Sequence, residues 1–277
     1  TCFGSRGSEV RILSLRPFFA KFLLLDFCHT LATMPCQHAG MFKTLYKNSL
    51  RLLALLAVFA VLLIGWLKVT AATAEGLPKL RTGDLVFQTS RSNQSIAIML
   101  ASKSLYSHTG IVEVLPSGKA VVLEAIATVR ETPIADWVAR GGGGRLLIKR
   151  LDGLTDTQAK AIVTVARQHF GKPYDMFFQD GDDAIYCSEL AYLAFDAGAG
   201  LTIGKSQRVA ELDIDNIAAR KLIAARWQKH PSCADGRAKS FEACYAKLLE
   251  QKLVTPASIA EDGRFITVFS NYGIVVD

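Results

Sequence analysis

Cys187, His108 and Glu124 are the residues of this chain whose types and settings suit covalent chemistry. Cys187 opens the stretch "CSELAYLAFDAG", in which Cys187, Leu190, Ala191, Ala194 and Phe195 fall on one apolar stripe. A thiol attacks as its thiolate, and unpaired N–H groups at the head of a helix favour that anion. The same placement also suits a small buried hydrophobe. His108 begins "HTGIVEV", with Ser107, Thr109 and Gly110 leaving room around its ring. An imidazole beside a thiol can take its proton and later protonate a leaving group. Glu124 lies inside the apolar run "VVLEAI". Carboxylates are rarely buried unpaired, so it either orients the imidazole, serves a structural hydrogen bond, or stands at a strand end.

Other candidates have simpler readings. His169 ends a helical pattern, where a positive charge suits the dipole, and His230 precedes a proline in a polar connection. Cys, His and Glu can all ligate zinc, but the chain has no C-x-x-C, H-x-x-H or H-E-x-x-H, and no metal or cofactor is expected. The acidic loop Asp180, Asp182 and Asp183 lacks the spacing of a calcium loop. Gly141 to Gly144 lead into a strand rather than a helix, so they read as a turn and not a phosphate cradle. Asp84 reads as a turn residue.

The elements that must hold these groups follow from periodicity. Strands are expected at 83–89, at "HTGIVEV" and "KAVVLEAI" joined by the turn "LPSGK", at 145–151, and in the last run "GRFITVFSN". A helix is expected over 93–104 with Ser92 as its cap. Thr155 and Gln158 have capping-box spacing ahead of "AKAIVTVARQHF", which Gly171 and Pro173 stop. Cys187 opens the next helix, with Gly198 as its stop, and further helices fall near 215–229 and 239–252. Strands early and helices later give an α+β class.

The N-terminal segment is expected to carry the domain out of the cytoplasm, and that changes how its charge and cysteines are counted. The formal charge is +7, but residues 1–74 hold eight basic and two acidic side chains, leaving +1 for the rest. Nucleic acid is therefore not an expected partner. Residues 41–74 have a basic flank (Lys43, Lys47, Arg51), an apolar run from Leu52 to Leu67 and a small-residue site, Ala72-Thr73-Ala74. Cleavage would leave Glu75 first; the alternative is a retained inner-membrane anchor, with residues 52–67 in the bilayer. Either way the domain, residues 75–277, faces the periplasm or cell envelope. Residues 1–40 show no sustained period and read as an upstream extension. Of the three cysteines that remain, Cys233 and Cys244 are close enough in sequence to pair, or else are two buried thiols. If they pair, Cys187 is the free one.

"GDLVFQTSRSNQSIAIMLASKSLYSHTGIVEV", "VVLEAI", "GKPYDMFF" and "YCSELAYLAF" together resemble the permuted papain-like amidases of the YiiX/YebB kind, relatives of NlpC-type cell-wall peptidases and of lecithin:retinol acyltransferase. The resemblance covers roughly residues 80 to 200. It implies a circularly permuted papain-like fold, an antiparallel sheet against helices, with the histidine before the cysteine. It makes His108 the base, Glu124 the third member, Cys187 the nucleophile and Tyr186 a tyrosine that helps hold the oxyanion, beside the Cys187 N–H. The implied activity is hydrolysis of an amide through an acyl-thioester on Cys187, with a small peptide, acyl-amide or lipid as substrate. Acyl transfer by the same pair, or a binding module that keeps the cleft without catalysis, are the rival readings. The segment after residue 200, including Cys233 and Cys244, departs from the compact pattern.

Overall fold

The computed structural model describes residues 39–179, 181 and 183–273. These divide into a unit ending at Gly65 and one beginning at Trp66. The expected upstream extension falls almost wholly outside the described residues, as do Cys2, Cys28, Cys36, Asp180 and Asp182. The first unit contains most of helix α1 (Ala39–Val69), of which Thr44–Trp66 is apolar, exposed and, at 23 residues, long enough to cross a bilayer.

β-Branched and apolar runs build the second unit around an antiparallel sheet. In chain order its strands are β1 (Leu85–Gln88), β2 (His108–Val114), β3 (Ala120–Ala125), β4 (Val129–Pro133), β5 (Leu147–Leu151) and β8 (Phe265–Ser270), and in space the order is β4-β3-β2-β1-β5-β8. Both faces of its centre are covered, so the strands read as continuous apolar runs rather than alternations. Leu85, Phe87, Ile111 and Leu123 pack with residues of helices α4 (Asp156–Gln168) and α5 (Cys187–Ala199). Val86, Val112, Val122 and Ile148 pack with Trp137 and Val138 of the short helix α3 (Ile134–Arg140). The turn between β2 and β3 closes through the Leu115 N–H to Lys119 carbonyl bond of 2.8 Å, with Gly118 at φ +80°.

The α+β class holds, and two local expectations are corrected. Helix α2 (Ser95–Ser102) begins later than Ser92, which instead accepts the Ser95 N–H in a turn ahead of it. Gly198 does not stop α5: a Cβ there would lie 2.7 Å from the Ile162 backbone, so the glycine lets α5 cross close against α4. The stop is Gly200, left-handed at φ +67°. Strand β4 and helix α3 carry no expectation, because five and seven residues are too short for either period to show. The capping box of Thr155 and Gln158 is present as expected.

After α5 the chain adds the strand pair β6 (Ser206–Arg208) and β7 (Lys252–Val254), helix α6 (Ile217–Arg226), helix α7 (Phe241–Glu250) and helix α8 (Pro256–Ala260). Cys233 and Cys244 form a disulfide across a separation of 11 residues, a closure worth about 3 kcal/mol against the unfolded chain. Cys187 is the free cysteine among the described residues.

Residues 70–77 are part of this second unit. The Ala72 N–H donates to the Gly144 carbonyl at 2.8 Å, while Arg145 and Asn271 both donate to the Thr70 carbonyl, at 3.3 and 2.8 Å. Ala72 and Leu77 pack against the Trp137 cluster. A chain that starts at Glu75 loses the Thr70 and Ala72 contacts. Compared with one starting at Thr70, it is expected to be less stable by about 2 kcal/mol, a melting point lower by roughly 4–8 °C; equal melting points by calorimetry would show that these contacts contribute nothing.

Candidate active site

Strand register places the acid. Ile111 pairs with Leu123, which sets Gly110 across from Glu124, and a methyl on Gly110 would come within 3.4 Å of the Glu124 Cβ and 2.4 Å of Val122. His108 and Glu124 therefore share a face, separated by a residue with no side chain. His108 Nε2 lies 2.6 Å from Glu124 Oε2, which leaves Nδ1 for its other partner, the thiol of Cys187. The three residues named from the sequence converge.

Glu124 is wholly buried, and its carboxylate is surrounded by donors. Oε2 also accepts from Trp137 Nε1 at 3.0 Å and Arg140 Nη2 at 2.5 Å, and Oε1 accepts from Thr132 Oγ1 at 2.6 Å. Burial alone would raise its pKa, but His108, Arg140 and Thr132 hold it at about 2. Trp137 also stacks beside the imidazole, ring centroids 6.0 Å apart. None of Thr132, Trp137 and Arg140 is legible as a site residue beforehand, since all lie on β4 and α3.

The sulfur sits where the first turn of α5 meets β2. It takes N–H bonds from Thr109 and Ser188 and a side-chain bond from His108, which together pull its pKa below the ordinary thiol value against the opposing effect of burial. Burial also acts to lower the pKa of His108, but its bonds to Cys187 and Glu124 raise it to about 9. The bonds within the pair thus favour thiolate and imidazolium over the two neutral groups.

The Tyr186 hydroxyl accepts the Val254 N–H at 3.1 Å. The phenol beside Cys187 belongs to Tyr174, which also accepts from Gln94 Nε2 at 3.0 Å. Burial, and then the neighbouring thiolate, keep Tyr174 protonated well above its ordinary range. "GKPYDMFF" carries this tyrosine, but nothing in its spacing aligns it with a cysteine thirteen positions on. His169 is the C-cap residue of α4, and Asp84 is a buried partner of Arg150, at 2.7 Å from both Nε and Nη2.

A model of permuted papain-like amidases, the YaeF/YiiX or C92 family, matches residues 79–269. The chain belongs to this family. The uncharacterised protein YiiX of Escherichia coli K12 is 34% identical over 189 residues, covering 68% of this chain and 85% of YiiX. The crystal structure of YiiX from Escherichia coli O157:H7, described as a metalloprotein, is 32% identical with a TM-score of 0.59, covering 70% of this chain and 98% of that one. Residues of the present site do not fit a metal: an arginine and three further donors occupy the Glu124 carboxylate, and no group of three or more His, Cys, Asp or Glu among the described residues is placed to hold one.

Alkylation of Cys187 by iodoacetamide, followed against pH, checks the ion pair. Wild-type protein is expected to react with a midpoint below the free-thiol value of about 8.5. His108→Ala should move that midpoint to 8.5 or above, because burial then acts unopposed, and should slow the reaction at pH 7 at least tenfold. Identical midpoints would mean that the imidazole does not stabilise the thiolate. The linked stabilities have opposite signs. That of His108 is present below pH 6.5 and lost as pH rises through about 9, and that of Glu124 is present above pH 4.5 and lost as pH falls towards 2.

Proposed function

We propose that the protein is an exported cysteine hydrolase that cleaves an amide bond through an acyl-thioester on Cys187. The observation that carries this reading is the hydrogen-bonded series Cys187, His108, Glu124, whose bonds lower the thiol pKa and raise that of the imidazole. The thiolate adds to the carbonyl carbon, forming the S–C bond and moving the π electrons onto oxygen. Tyr174, already at the sulfur, and the Cys187 N–H, which has no intrahelical partner at the first position of α5, receive that oxyanion. Collapse breaks the C–N bond as His108 gives its proton to the departing nitrogen. Water, deprotonated by His108, then adds to the thioester and releases the acid, and the thiolate and imidazolium return. Glu124 keeps the ring oriented and its positive charge balanced.

Helix α1 supports export as either a signal or an anchor.

The cavity favours an acyl group among the substrate classes. Cys187 lines a space of about 150 Å³ bounded by apolar residues of α2, α6 and the 176–178 loop, Ile98, Leu222 and Phe178 among them. Its polar side chains are already engaged within the protein. Ser107 bonds Ser95 and the Ser90 N–H, Ser188 donates to the Val254 carbonyl, and Ser102 to that of Ile98. Gln251 donates to the carbonyls of Phe177 and Phe178, and Arg226 to Gln94 and the Met176 carbonyl. His230 is the most loosely held of them: its Nδ1 accepts the Ser232 N–H at 3.1 Å, and its ring stands beside the Gln251 side chain and the Phe177 backbone. A peptide would bring an amide every residue into this space, each losing water without gaining a partner. A hydrocarbon chain loses nothing of that kind.

Turnover of acyl p-nitroanilides from acetyl to palmitoyl tests both parts. Each added methylene that enters the cavity is expected to raise kcat/KM about fourfold until the space is filled, and Cys187→Ala should abolish turnover. A flat series would remove the acyl reading and leave the hydrolase; turnover by Cys187→Ala would remove the mechanism.

A further inference from the structure

A hydroxyl has one proton, and where Tyr174 sends it is decided two residues away. We propose that Gln94 and Arg226 are positioning residues that aim the Tyr174 hydroxyl at Cys187, an assignment that rests on Cys187 being the nucleophile. Arg226, the last residue of α6, donates through Nη1 to Gln94 Oε1 at 3.1 Å. A guanidinium has donors only, so the oxygen of the Gln94 amide must face it and the NH₂ must face away. That NH₂ meets the Tyr174 oxygen at 3.0 Å. With its oxygen already accepting, the phenol directs its proton to its remaining neighbour, the sulfur.

The three residues come from separate parts of the chain: Gln94 is the residue before α2, Tyr174 lies between α4 and α5, and Arg226 belongs to the segment after residue 200. Arg226 is held in turn by the Met176 carbonyl at 3.1 Å, so it ties α6 to the loop that carries the tyrosine. Packing of Ala97 on α2 with Ala219 on α6 keeps the two helices at the spacing these bonds need. Were Arg226 absent, the amide could turn over and offer its oxygen to Tyr174. The phenol would then donate to Gln94, and the sulfur and the oxyanion would lose a donor. Before attack the proton stabilises the thiolate, and after it a small swing carries the same proton to the new oxyanion. No bond is made or broken by Gln94 or Arg226.

Substitutions that reverse the amide separate aim from mere packing. Gln94→Glu presents only acceptors to Tyr174, and it is expected to lower kcat by nearly as much as Tyr174→Phe, on the order of a hundredfold, with a much smaller change in KM. The Cys187 alkylation midpoint should rise. Gln94→Met, uncharged, should move the midpoint the same way by less, and Arg226→Ala should lower kcat several-fold while Arg226→Lys, again a pure donor, restores most of it. The Gln94→Glu/Tyr174→Phe double variant should be no slower than Tyr174→Phe alone, because the amide acts only through the phenol. A wild-type midpoint in Gln94→Glu, a shift in Gln94→Glu with none in Gln94→Met, or a double variant slowed by the product of the single effects would each overturn the assignment. The midpoint is read without substrate, so a shift accompanied by no turnover of any amide would keep the positioning role and discard the hydrolase.

Discussion

A single buried negative charge organises this site. An ionised carboxylate removed from water costs several kcal/mol unless its lone pairs are filled, and Glu124 has no exposed surface. Its environment is understandable as the solution to that problem. Strand β4 brings Thr132 to one oxygen, and helix α3, following without a break, brings Trp137 and Arg140 to the other. Only one donor of the set, His108, also reaches the Cys187 thiol. The others keep the acid ionised, and an ionised acid is what lets a buried imidazole hold its proton. The thiolate depends on that proton, so the reactivity of Cys187 is set in part by residues that never approach it.

Positioning the sulfur is a matter of helix packing. Helix α5 is fixed along its length by its crossing against α4, where Gly198 permits backbone contact, and by Leu190, Ala194 and Phe195 in the core. At its head, Ser188 donates to the Val254 carbonyl and Tyr186 accepts the Val254 N–H. These two bonds clamp the first turn to β7, one residue either side of Cys187. The tyrosine adjacent in sequence thus helps lock the helix in place.

Much of this was legible in the sequence. The apolar stripe that begins at Cys187, the hairpin that sets Glu124 beside His108, and the capping box of α4 are local patterns, and local patterns survive folding. What could not be read is what short elements and loops contribute. Thr132, Trp137 and Arg140 sit on pieces too brief to show a period, and Tyr174 and Gln94 meet across 80 positions with no repeat or spacing to announce it. Gly198 resembles a stop in the sequence because glycine ends helices more often than it joins them, and only the backbone of a neighbouring helix, invisible in one dimension, shows its other use.

The cysteines divide by geometry and not by type. Cys233 and Cys244 lie in one local segment, where closing the loop is cheap, and they are bonded. Cys187 is buried at the foot of a sheet with no second cysteine bonded to it among the described residues. A thiolate is the most oxidisable state of sulfur, and the proposed export would carry it into an oxidising compartment. Burial and the apolar lining of the cavity then have a second consequence beyond substrate choice. They would admit a hydrocarbon chain readily and a polar oxidant or a mixed-disulfide partner poorly, so on the proposed function the dry wall that favours an acyl substrate also shields Cys187.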